Sequence, residues 1–196
     1  MLVFWDQRLV FLATPKTGST AIAMALESLA AVSIQRPPVL KHTTVQRFHR
    51  FIGPYLRVAS GDEFTTVALM REPLDWLGSW YRFRQREDVM DAKMSTKDMS
   101  FDDFAMAYCA RPQPAFANVG SQSRFLTPEG KPSVDRIFRY EEIEKFVDFL
   151  EHRLDCEIIL PRVNVSPVAD MALSTATRDA VRETMAADIA LYDRLD

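Results

Sequence analysis

An apolar run, Leu9-Val10-Phe11-Leu12-Ala13, leads through Thr14-Pro15-Lys16-Thr17-Gly18-Ser19-Thr20 into an alanine-rich stretch that ends at Ala31. This order constrains the fold more than any other feature of the chain. The short apolar run reads as a buried strand, and the stretch after it, free of Gly and Pro, as a helix over Thr20–Ala31. A strand that turns directly into a helix N-terminus aims successive backbone N–H groups at one spot. The helix dipole adds partial positive charge and Lys16 a full one, which makes an anion cradle. Phe64 to Arg82 repeats the pattern, with a β-rich apolar run to Met70, Arg71 at the turn, Pro73 in the first helical turn and Ser79 inside the helix. Two anion sites on one sheet imply a ligand with phosphate or sulfate at both ends.

The rest of the chain alternates in the same way. Leu2–Trp5 and Arg8–Ala13 read as two short strands around Asp6-Gln7, or as one strand with a bend. Gln35-Arg36-Pro37-Pro38 begins a connecting segment, Thr43–Phe51 reads as a short helix, and Gly53-Pro54 ends it. The helix after Pro73 should run to about Glu87. Ser100 and Asp103 have the spacing of a capping box before a helix through Tyr108. Val134–Arg139 reads as a third parallel strand. Over Glu141–Leu154, Ile143, Phe146, Val147, Leu150 and Leu154 form one apolar helical stripe. Cys156–Leu160 reads as a final strand, and Ser174 caps a last helix with the stripe Val181, Met185, Ile189, Tyr192 and Leu195. The expectation is one α/β domain over residues 1–196, a mostly parallel central sheet flanked by helices.

Composition narrows the function. With 47% hydrophobic and 26% charged residues in 196, the chain is that of an ordinary folded domain. A formal net charge of −3 argues against a nucleic-acid partner, while leaving room for a local basic patch. Cys109 and Cys156 belong to no metal or redox spacing, and a thiol pair in a reducing compartment is expected. No apolar stretch approaches the ~20 residues of a membrane span. The start lacks a charged leader and a small-residue cleavage site, so a cytoplasmic location is expected.

The Lys16 loop is not a Walker A sequence, because Lys16 precedes the one Gly of the loop. Pro15-Lys16-Thr17-Gly18-Ser19-Thr20 instead resembles the 5′-phosphosulfate loop of sulfotransferases that use 3′-phosphoadenosine 5′-phosphosulfate, PAPS. Arg71 to Tyr81 resembles that family's 3′-phosphate element. Lys41-His42-Thr43, Gln122-Ser123-Arg124-Phe125-Leu126, Phe138-Arg139-Tyr140-Glu141, Asn164-Val165-Ser166-Pro167 and Asp188–Leu195 are similar, in order, to segments of carbohydrate-type and bacterial sulfotransferases. The Arg-Lys-Gly loop of cytosolic arylsulfotransferases has no counterpart. The resemblance implies a P-loop-like fold and in-line transfer of a sulfuryl group from PAPS, leaving PAP, to a hydroxyl or amine of a small molecule or glycan, with no metal.

It also implies roles. Lys16 stabilises charge on the bridging oxygen, the amides of Thr17, Gly18, Ser19 and Thr20 with the Ser19 and Thr20 hydroxyls hold the 5′ phosphate and sulfate, and Arg71 with Ser79 holds the 3′-phosphate. The acceptor must lose a proton, which calls for a base. Of three histidines, His152 falls on the solvent side of its helix and His49 lies inside one. His42, in an extended segment beside Lys41, is the favoured base, and Glu63 is the fallback. Trp76, Trp80 and Tyr81 are set for core packing or adenine stacking. A nucleotide or small-molecule kinase and a non-catalytic PAPS- or PAP-binding module are the alternatives.

Overall fold

The computed structural model describes residues 1–86, 91–131, 133–161, 163 and 169–195. Within the α/β domain the chain divides into two compact units. The first comprises Met1–Arg71, Gln122–Asn164 and Arg194–Asp196, and the second Glu72–Ser121 and Val165–Asp193.

The first unit is built on a five-stranded sheet of β1 (Leu2–Phe4), β2 (Leu9–Leu12), β3 (Val32–Ser33), β4 (Thr65–Met70) and β5 (Arg136–Arg139), in the order β3-β1-β2-β4-β5. β2, β4 and β5 run parallel, with Leu9 opposite Thr65 and Val67 opposite Arg136. β1 is antiparallel to both its neighbours. The sheet is therefore mixed, parallel in the middle and antiparallel at one edge. The cause is the first connection: only the turn Trp5–Arg8 separates β1 from β2, and so short a link closes only an antiparallel hairpin.

Helix α1 (Ser19–Leu26) follows the Lys16 loop and tightens into a 3-10 turn at Glu27–Leu29, short of the expected Ala31. α2 (Pro38–Lys41) stands where an extended segment was expected. Gly53-Pro54 does not end the next helix. α3 (Val45–Arg47) passes through a π-helical turn, Phe48–Ile52, directly into α4 (Gly53–Ser60), with Pro54 in the first turn, where its missing N–H is not required. α7 (Gln122–Leu126) precedes β5, and α8 (Ile143–Leu154) follows it. The α8 stripe packs as read: Phe146 and Leu150 are buried against Phe11, Ile22, Leu26 and Leu69, with Ile143, Val147 and Leu154 at the margin. Cys156–Leu160 is not a strand. The Ile158 N–H, which a ladder would use, donates to the Glu151 carboxylate at 2.7 Å.

In the second unit, α5 (Pro73–Arg84) begins at a Glu72 cap. The Ser100–Asp103 capping box opens α6 (Phe101–Cys109). Ser174 caps α9 (Thr175–Thr184), and the expected single helix breaks at Met185 before α10 (Ala186–Tyr192). Trp76, Leu77, Tyr81, Phe101, Phe104, Val181 and Met185 form its core, so Trp76 and Tyr81 are packing residues.

Candidate anion-binding site

Because β2 and β4 are parallel neighbours, their C-terminal ends open at the same end of the sheet, where ligands of α/β proteins bind. The segments leaving these ends meet directly. Nη1 of Arg71 donates to the Lys16 carbonyl at 3.2 Å. The two cationic elements singled out in the sequence are thus one structure.

The Lys16 loop bends through two left-handed residues, a backbone of the kind that can turn N–H groups toward an anion. Lys16 and Gly18 both have positive φ, 66° and 70°. A left-handed lysine carries a cost of roughly 1–2 kcal/mol, and the Arg71 bond to its carbonyl helps to hold it. Between them Thr17 is fully buried, its hydroxyl donating to the Thr14 carbonyl at 2.9 Å. The buried Thr14 hydroxyl has no hydrogen-bond partner, an unmet polar group at the mouth of the loop. Ser19 opens α1 and is buried, and Thr20 accepts from the Lys41 Nζ at 3.0 Å. Gly18 has a second reason to lack a side chain, since a Cβ there would stand 3.0 Å from Cε2 of Tyr140.

Tyr140 and Gln122 position Arg71. Its guanidinium carbon lies 4.8 Å from the centre of the Tyr140 ring, a cation–π contact. Gln122, 1% exposed, brackets the Arg71 backbone: its Oε1 accepts from the Arg71 N–H at 2.9 Å and its Nε2 donates to the Arg71 carbonyl at 2.8 Å. Lys41, Gln122 and Tyr140 were not assigned roles from sequence. Each does lie in a segment of the family resemblance, and that order of segments was the signal that could have marked them.

His42 sits at the C-terminal end of α2, in a turn and not in an extended segment. Its Nδ1 is 2.7 Å from the Ala13 carbonyl at the end of β2. A carbonyl only accepts, so Nδ1 carries the proton and the neutral ring keeps its lone pair on Nε2. Burial pushes the imidazole below its ordinary value and outweighs the opposing bond to Ala13, with the positive charges of Lys41, the Met1 ammonium and Lys16 adding to the fall. Burial also lowers the Lys41 ammonium. At neutral pH His42 is therefore a neutral imidazole with a set tautomer.

That shift has a measurable consequence. The folded protein resists protonating His42, so on acidification the unfolded chain takes up the proton first. The stability from this site is complete above the ordinary imidazole value of 6.5 and is lost as pH falls through the lowered folded value. Thermal melts from about pH 7 to about pH 5 should show a steeper fall in Tm for wild type than for His42→Gln. Equal slopes would assign the acid sensitivity to other groups.

The remaining sequence-derived residues fall elsewhere. Glu63 lies before β4, at the end of the strand opposite Arg71, largely exposed and paired with Arg57 at 2.9 Å. That position removes it as the fallback base. His49 packs edge-on against Phe48, and His152 is exposed on α8. Ser79 belongs to the second unit, on α5, and is 3% exposed. Asn164-Val165-Ser166-Pro167 lies outside the described residues. An open depression of about 560 Å³, lined by Asp148, Glu151, His152, Asp155, Cys156 and Glu157, sits at the far end of α8. There Arg153 reaches the Gln7 carbonyl ahead of β2. Its acids repel anions, and it is no part of this site. No protein-family model matches the chain, and no curated protein matches it with significance.

Proposed function

We propose that the chain is a PAPS-dependent sulfotransferase on a P-loop-like fold, acting on a hydroxyl or amine of a small molecule or glycan. The junction of Arg71 with the Lys16 loop carries this reading. One cation heads a helix N-terminus, a second stands on the neighbouring strand end, and a nucleotide with phosphate groups at both its 5′ and 3′ positions matches that pair. The unpartnered Thr14 hydroxyl and the left-handed backbone of Lys16 and Gly18 are compatible with an anion at the loop.

PAPS would supply a sulfuryl group activated on a phosphate oxygen. The amides of Thr17–Thr20 and the Ser19 and Thr20 hydroxyls would hold its 5′ end, and Arg71 its 3′-phosphate. Lys16 stabilises the charge that builds on the phosphate oxygen as its bond to sulfur breaks, and the left-handed backbone keeps that lysine at the head of the loop. Nε2 of His42 takes the proton that the acceptor loses as the new bond to sulfur forms. The Ala13 carbonyl keeps the proton of the resting ring on Nδ1, so Nε2 is the nitrogen left to act.

Thermal shift tests the reading against a kinase. PAP should raise Tm without metal and by more than ADP. Ligand at about a hundred times its Kd adds ~2.7 kcal/mol. Equal shifts from PAP and ADP, or a larger one from ATP with magnesium, would sink it. Turnover of PAPS against a mixed acceptor panel separates an enzyme from a PAP-binding module.

A further inference from the structure

From Ser28 to Gly61 the chain has no Asp or Glu and carries Arg36, Lys41, Arg47, Arg50 and Arg57, in a protein of formal net charge −3; the other residues sum to −8. This charge segregation coincides with an unusual surface. Val45–Ser60 is one continuous helical segment through α3, the π-turn and α4. Its inner side buries Val45, Phe48 and Leu56. Its outer side leaves Phe51, Tyr55 and Val58 exposed at 63%, 72% and 84%, spaced by four and three residues. Arg47 and Arg50 are exposed beside them, and the Arg50 guanidinium stands 5.1 Å from the Phe51 ring.

We propose that this outer face docks on an anionic lipid membrane. Large side chains left in water need a partner, and a run of aromatic and aliphatic groups on one helix is more than scattered exposure. An amphipathic segment with an apolar outer stripe and Arg at its margin lies in the headgroup plane, its rings in the acyl boundary and its guanidinium groups among lipid phosphates. With no acid between Ser28 and Gly61 and with Arg57 already paired to Glu63, the exposed Arg47 and Arg50 select an anionic over a neutral surface. The face lies on the first unit alone and is independent of what the Lys16 loop binds.

The test is sedimentation of the full chain with vesicles of phosphatidylcholine alone and with about one-third phosphatidylserine. The wild type should bind the anionic vesicles, bind the neutral ones weakly, and release as salt rises. Each basic residue near such a surface strengthens partition about fivefold, so R47Q with R50Q should weaken it about 25-fold. F51S with Y55S should abolish what survives high salt. All four side chains are exposed, so wild-type Tm is the folding control. Equal binding by wild type and both variants, or no sedimentation with either vesicle, overturns the proposal. So does sedimentation with single-stranded RNA in place of vesicles, or a dimer that F51S with Y55S dissolves, which would give the face to another partner.

Discussion

Arg71→Ala is expected to erase the preference for PAP over AMP, which lacks only the 3′-phosphate. A lost charge-assisted hydrogen bond to phosphate is worth about 1.5–3 kcal/mol, or roughly 10- to 150-fold in Kd. Arg71 also holds the Lys16 carbonyl, so its removal loosens the 5′ cradle and weakens both nucleotides. The ratio of the two Kd values cancels that shared loss and isolates the 3′ contact. Arg71→Lys keeps the charge without the fork and should give an intermediate ratio. Calorimetric titration of both ligands against the three proteins provides the measurement. An unchanged ratio in Arg71→Ala would make Arg71 a loop anchor and nothing more.

The parts of the site legible in the sequence are those governed by local chemistry. β4 reads from sequence because it is buried on both faces from Thr66 to Met70, so that Val67–Met70 forms an unbroken apolar run. The Lys16 turn reads because glycine and hydroxyl residues between a strand and a helix have few other uses. α8 reads because its stripe has the helical period. What failed was set by distant partners. β3 has two exposed residues, no alternation, and exists because β1 offers an edge. Cys156–Leu160 has strand composition, but Glu151 takes the N–H of Ile158.

The same division runs through the site. Nothing local to Gln122 says that its amide brackets Arg71, and nothing local to Tyr140 says that its ring fills the space a side chain at position 18 would need. The base is a mixed case. The sequence favours His42 as the base, yet the contact that sets its tautomer, the Ala13 carbonyl, depends on a turn after α2 that the double proline conceals. Glu63 reads as the fallback by residue type, and strand direction, exposure and its pairing with Arg57 separate it from the loop.

Lys16→Ala and His42→Ala should each remove most turnover while PAP still binds, by different routes. In the proposed transfer Lys16 would act on charge that grows only as the sulfur–oxygen bond breaks. Its loss should therefore lower kcat far more than ground-state affinity, by about 10²–10³-fold on the scale of one lost electrostatic donor. Arg71 remains in Lys16→Ala and still reaches the carbonyl at position 16, a backbone group that the substitution keeps. His42→Ala should cost about 10²–10⁴-fold, the usual range for a missing base, and should flatten the acidic limb of the pH–rate profile. Burial lowers the His42 value, so that limb in wild type should lie below the ordinary imidazole 6.5. Turnover of PAPS across pH for each variant, with PAP affinity as the folding control, separates the two. A wild-type profile in His42→Ala would move the base elsewhere, and full activity in Lys16→Ala would leave no sulfuryl-transfer role for the loop.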